Sequence, residues 1–204
     1  MLQSLSKRRW LRVMFVVCAA LIGAFACARF VACRTVNDLG GVCISREVPD
    51  WAKAICPTAL LPIEIVHIEN ATISNADCWR IAVLHEVENL SLVRCGVSAR
   101  GYRALGTLSN LEYLNVSYTG LDADGLDALM RCRLLENINV SGGALSDDDI
   151  STLAALSRLK WLSVNDTDVS AEAIRKLQSA APQLEVIELD GSRAAEELGD
   201  VVRR

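Results

Sequence analysis

The apolar positions of this chain follow a phrase, apolar-x-x-apolar-x-apolar, that returns every 24 residues. It begins at Ile63 (with Val66, Ile68), Val87 (Leu90, Leu92), Leu111 (Leu114, Val116), Leu135 (Ile138, Val140) and Leu159 (Leu162, Val164). A sixth copy starts one residue late, at Leu184, and continues with Ile187 and Leu189. Alternation at the end of each phrase turns every second side chain to one face of a short strand. Five residues later another apolar residue recurs, as Ile73, Val97, Leu121, Leu145 and Val169. Next come Cys78, Tyr102, Leu126, Ile150 and Ile174, then Ile81, Leu105, Leu129, Leu153 and Leu177, then Leu84, Leu108, Cys132, Leu156 and Ala180. Steps of three lay one stripe of a helix inward. Each unit is therefore strand, turn and helix, with no second layer of its own, so stacking on its neighbours closes the core. Each large apolar side chain contributes up to about 1.5–3 kcal/mol on burial.

Helix starts keep the same register. Ser74 with Asp77 and Ser146 with Asp149 have the spacing of capping boxes, and Ser98, Asp122 and Ser170 hold the same place in the other units. The carboxylates Asp122, Asp124 and Asp147 to Asp149 lack the loop pattern of a calcium site and read as first-turn partners of the helix dipole.

Five units that agree at about seven positions each resemble the leucine-rich repeat, over residues 63–192. Ser179 to Leu189 is similar to the cysteine-containing repeat subfamily, while Thr119-Gly120-Leu121-Asp122 and Thr167-Asp168-Val169-Ser170 resemble bacterial 24-residue versions. The resemblance implies an α/β solenoid, with a short parallel sheet on the concave face and helices on the convex face. With six strands the arc is shallow.

The chain ahead of the repeats is different. Lys7, Arg8, Arg9 and Arg12 precede Val13 to Ala28, which carries no charge. If Arg29 snorkels to the interface, the apolar stretch runs to Cys33, long enough to span a bilayer. The basic residues on its amino-terminal side place that end in the cytoplasm. Residues 1–12 are thus expected as a basic tail, 13–33 as a transmembrane signal anchor, 34–62 as linker and N-terminal cap, 63–192 as repeats and 193–204 as a C-terminal cap helix or tail. Ala26-Cys27-Ala28 also fits a signal-peptidase site, and Ala24 to Cys27 is a poor relative of a lipoprotein box. All three routes deliver the repeats across the membrane, to the periplasm or cell surface.

Charge sharpens this division. Residues 1–34 hold six basic and no acidic side chains, leaving 15 basic against 25 acidic, or −10, on the rest. That balance opposes nucleic acid as a partner. Of the eight cysteines, Cys78, Cys95 and Cys132 fall in repeat register as small buried hydrophobes. Cys43 and Cys56 lie outside it and are expected as a disulfide stapling the N-terminal cap, two free thiols being the alternative. No cysteine spacing fits a metal site. The two histidines, His67 and His85, have no nucleophile in register, and no phosphate-binding glycine pattern or serine elbow occurs. No catalytic residue, cofactor or small-molecule substrate is expected. The Asn-x-Ser/Thr sequons, such as Asn115-Val116-Ser117, read as a by-product of polar strand positions.

The outward strand positions form two columns. One reads Ile65, Asn89, Tyr113, Asn137, Trp161, Val186, and the next reads His67, Ser91, Asn115, Asn139, Ser163, Glu188. Tyrosine and tryptophan among asparagines have the composition of a binding face. Tyr113, Trp161, Asn89, Asn137, Asn115 and Asn139 are therefore the candidate protein-binding residues, with ordinary packing between adjacent strands as the alternative. A ladder of Glu64, Glu88, Glu112, Glu136, Lys160 and Glu185 starts the strands, either solvated or a strip for a basic partner. The sequence thus reads as a membrane-anchored, non-catalytic repeat module that recognises another protein on its concave sheet. The alternatives are a self-associating envelope protein and a secreted or periplasmic repeat protein.

Overall fold

A computed structural model of the chain describes residues 2–46 and 61–187. Cys56, Glu188, Leu189 and the expected C-terminal cap at 193–204 lie outside the described residues. The chain opens with one long helix, α1 (Leu2–Asp38), and a first strand, β1 (Val42–Ser45). Strands β2 (Ile63–Glu69), β3 (Asn89–Val93), β4 (Tyr113–Asn115), β5 (Asn137–Asn139), β6 (Trp161–Ser163) and β7 (Glu185–Ile187) then alternate with helices. The helices are α2 (Asn75–Ile81), α3 (Ala99–Leu105), α4 (Ala123–Leu129), α5 (Asp147–Ser151, continued by a 3-10 turn over Thr152–Ala155) and α6 (Ala171–Ala180). The sheet order is β1 to β7 in sequence; β2 to β7 are parallel and β1 runs antiparallel against β2. This is an α/β fold in which each repeat adds one strand and one helix beside the last.

The inward series of the sequence is buried almost throughout, from Ile73 and Cys78 in the first unit to Ile174 and Leu177 in the fifth. All five expected N-caps form: Ser74, Ser98, Asp122, Ser146 and Ser170 each accept a hydrogen bond from the amide three residues on. Both capping boxes are closed, by Asp77 and Asp149. After each of β2 to β6 the backbone turns through the left-handed region, at Asn70, Arg94, Tyr118, Gly142 and Asp166, again one residue in every 24.

Two features depart from expectation. The last strand pairs Glu185 with Trp161, Val186 with Leu162 and Ile187 with Ser163, so Val186 packs toward the core and Ile187 takes the outward place. The extra residue is absorbed before the strand: Ala180 is exposed and Ala181 is buried in its stead. Strand pairing thus preserves the 24-residue interval that the apolar phrase breaks.

The other departure is at the amino terminus. The stretch Val17–Asp38 is long and apolar enough to cross a membrane by length and composition. Its last turns nevertheless pack on the first repeat, burying Arg29, Ala32, Thr35 and Val36. Arg29 is only 3% exposed; it pairs with Glu86 and donates to the Leu61 carbonyl, where a snorkelling side chain was expected. Glu86 also accepts from the Ile63 amide at 3.3 Å. From Arg29 onward, one side of the helix expected to span the membrane to Cys33 is packed on the first repeat.

Candidate binding face

Through β2 to β6 the outward columns sit where alternation puts them. Asn89 pairs with Tyr113, Tyr113 with Asn137 and Asn137 with Trp161 in adjacent strands. Strands lie about 4.8 Å apart, so about 10 Å separates the Tyr113 and Trp161 backbones with Asn137 between them. Tyr113 is 38% exposed and Trp161 47%, while their neighbours Leu114 and Leu162 are fully buried. The groove between the two rings has a volume of about 350 Å³ and is lined by Asn137, Asn139, Ser163 and Ile187 beside the aromatics. The strand slip thus adds an apolar group, Ile187, to the face at a site where the sequence reading placed none.

The asparagines divide into two kinds. Asn115 and Asn139 close the ends of their strands: each side-chain oxygen accepts the amide two residues on, from Ser117 and Ser141, at 3.0 Å. These are Asx turns, which satisfy a backbone donor where the ladder stops. The recurring Asn-Val-Ser sequon is this turn written in sequence, with Ser117 and Ser141 buried. Asn115 and Asn139 therefore offer a partner only their remaining amide groups. Asn89 and Asn137 are half-buried at mid-column, and of the two Asn137 lines the groove.

The acidic ladder is partly neutralised. Arg46, just after β1, bridges Glu64 (3.5 Å) and Glu88, and Lys160 donates to Glu136 at 2.6 Å. Glu112 stands between these pairs. Arg46 was missed in the sequence because nothing local connects it with carboxylates 18 and 42 residues on. A second cluster was also missed at the carboxyl ends of the strands. The Tyr118 hydroxyl donates to Asp166 at 2.6 Å, and the Arg94 guanidinium lies 5.6 Å over the Tyr118 ring. The hydrogen bond to Asp166 raises the Tyr118 phenol above its ordinary pKa. Tyr118 reaches across Gly142, whose left-handed φ of 67° and missing Cβ leave space for the ring. The shared left-handed position of Arg94, Tyr118 and Asp166 was the available signal. His67, on the open face as expected, contacts Glu69 at 3.0 Å.

Comparison with known proteins gives structural likeness alone. No protein-family model matches the chain, and no curated protein matches it. Among solved structures it is similar to an internalin from Listeria monocytogenes (TM-score 0.44, 14% identity, covering 53% of this chain and 30% of the internalin). It is also similar to internalin C2 from the same organism (0.40, 21%, 54% and 55%). The leucine-rich-repeat ectodomain of the receptor kinase SOBIR1 from Arabidopsis thaliana gives 0.41, 19%, 74% and 79%. The chain spans less than two thirds of either internalin.

Proposed function

We propose that this protein is a non-catalytic recognition module, carried on the extracytoplasmic side of a membrane by α1, that holds a protein partner against the open face of its sheet. The observation that carries the reading is the groove between Tyr113 and Trp161, with the Asn137 carboxamide at its floor. Exposed aromatics supply large contact area at little entropy cost, and hot spots are enriched in them. The anchor is supported by the apolar surface α1 leaves uncovered, including Leu21, Ile22 and Phe25, and by the basic residues ahead of it.

The test is alanine substitution, scored against the partner captured by crosslinking the intact protein in its native envelope. Tyr113→Ala and Trp161→Ala are expected to weaken binding by about 1–3 kcal/mol each and to leave the fold intact. Leu114→Ala or Leu162→Ala, one residue along and facing inward, is expected to cost about 2–5 kcal/mol of stability. Normal binding by both aromatic variants overturns the assignment of this face.

A further inference from the structure

The junction between α1 and the sheet brings together two cysteines that lie far apart in the sequence-based domain plan. α1 ends in a Schellman turn: Gly41 donates to the Val36 carbonyl (2.8 Å) and Gly40, at φ 75°, donates to that of Asn37 (2.9 Å). Gly41 then passes so close to β2 that an added Cβ would stand 2.5 Å from the His67 carbonyl oxygen and 2.6 Å from Ile68. This contact fixes where β1 begins. In β1, Cys43 pairs with the buried Val66, so its side chain takes the helix-covered face while Val42 and Ile44 face outward. On α1 the buried residues Arg29, Ala32 and Val36 define the stripe that meets the sheet, and Cys33 lies on it. Cys33 and Cys43, both free thiols in this structure, line one cavity where helix and strand meet, close enough for their side chains to interact.

We infer that Cys33 and Cys43 are a disulfide site that staples α1 to the first strand of the sheet. The inference rests on the extracytoplasmic reading only for its oxidant, a disulfide of the compartment's thiol-oxidising system. The Cys33 thiolate attacks one sulfur of that disulfide and releases one thiolate. The Cys43 thiolate then attacks the Cys33 sulfur, forms the Cys33–Cys43 bond and releases the second thiolate. Two protein thiols lose two protons and two electrons, and the oxidant is reduced to two thiols. This pairing competes directly with the Cys43–Cys56 bridge expected from sequence. That expectation overlooked Cys33 because it placed the residue in the membrane.

The experiment uses the purified full chain in detergent micelles, equilibrated with oxidised and reduced glutathione, quenched by alkylation and mapped as non-reduced peptides. The expected result is a Cys33–Cys43 linked peptide as the main product, with Cys56 carrying alkyl or glutathione adducts. Cys33→Ser and Cys43→Ser should each abolish that peptide. Cys43 found joined to Cys56, or Cys33 and Cys43 carrying separate glutathione adducts, overturns the site. The same map is then made on cells whose thiols are blocked before lysis. A pair that closes in micelles but is blocked as free thiols in cells keeps the site and overturns the extracytoplasmic reading.

Discussion

Tyr102 offers a measurement of how one repeat is locked to the turn of the next. Its ring fills the position held by Cys78, Leu126 and Ile150 in other units and is 1% exposed. Its hydroxyl donates to Thr119 Oγ1 at 2.6 Å, and Thr119 in turn donates to the Val116 carbonyl at 2.6 Å. Burial pushes the phenol well above its ordinary pKa, so it remains a donor through neutral pH. Tyr102→Phe removes one donor and leaves Thr119 its own bond, an expected cost of about 0.5–1.5 kcal/mol. Thr119→Val is worse: it strands a buried hydroxyl and also leaves the Val116 carbonyl without its donor. Each unsatisfied buried group costs about 1–3 kcal/mol. The double variant leaves only the carbonyl stranded, so its cost should fall below the sum of the singles by the Tyr102→Phe cost plus that of the stranded hydroxyl, about 1.5–4.5 kcal/mol. Urea unfolding of the full chain in micelles, followed by circular dichroism and tryptophan fluorescence, measures all four corners of the cycle. Additivity within about 0.3–0.5 kcal/mol would show that the two hydroxyls do not hold each other, and the argument fails.

Three other outcomes are expected. Gly142→Ala forces a side chain into the left-handed region, at about 1–2 kcal/mol, and places its Cβ against the Tyr118 ring. Spectrophotometric titration should then show the Tyr118 phenol falling back toward its ordinary pKa as the bond to Asp166 is lost. The carboxyls of Asp149 and Asp147 are held below the ordinary range by hydrogen bonds from Ser146 and Ser170, respectively. A depressed folded pKa stabilises above the unfolded value of about 3.9 and is lost as pH falls through the folded value. Stability should therefore be flat near neutrality and drop below about pH 4, with a shallower drop in Asp149→Asn. Burial pushes the Cys78 and Cys132 thiols up to about 11, so alkylation at pH 7.5–8 should label neither before denaturation, and prompt labelling of either contradicts its place in the core.

What the sequence made legible was whatever repeats. Burial at fixed intervals set the strands, the caps and the two outward columns, because each unit solves the same packing problem. The last strand was misread by one residue because Leu184, Ile187 and Leu189 satisfy the apolar phrase as well as Val186 does. Hydrogen bonding to β6 decided between them, and α6 had room for the extra residue. Asn115 and Asn139 also close Asx turns, a role the sequence did not separate from recognition because both use the same side chain. The amino-terminal cap was illegible for a different reason. Arg29 finds Glu86 57 residues away, and Arg46 finds Glu88 42 residues away, so no local pattern announces either pair. A lone arginine in an apolar run reads as the edge of a membrane unless its distant partner is known.

The passage of α1 straight into the cap has a consequence for how a partner is met. A domain tethered by a flexible linker sweeps a broad volume and presents its face in every direction. Here the turn from helix to sheet is three residues long, and the helix itself forms part of the packed end of the repeats. Were α1 seated in a bilayer, as proposed, the sheet would be held at one tilt and one height above it. A module anchored as proposed would search in two dimensions with its orientation already chosen, which would favour a partner anchored in the same surface over one arriving from solution. In that arrangement, load on the repeats would pass down the helix as a rocking of its axis.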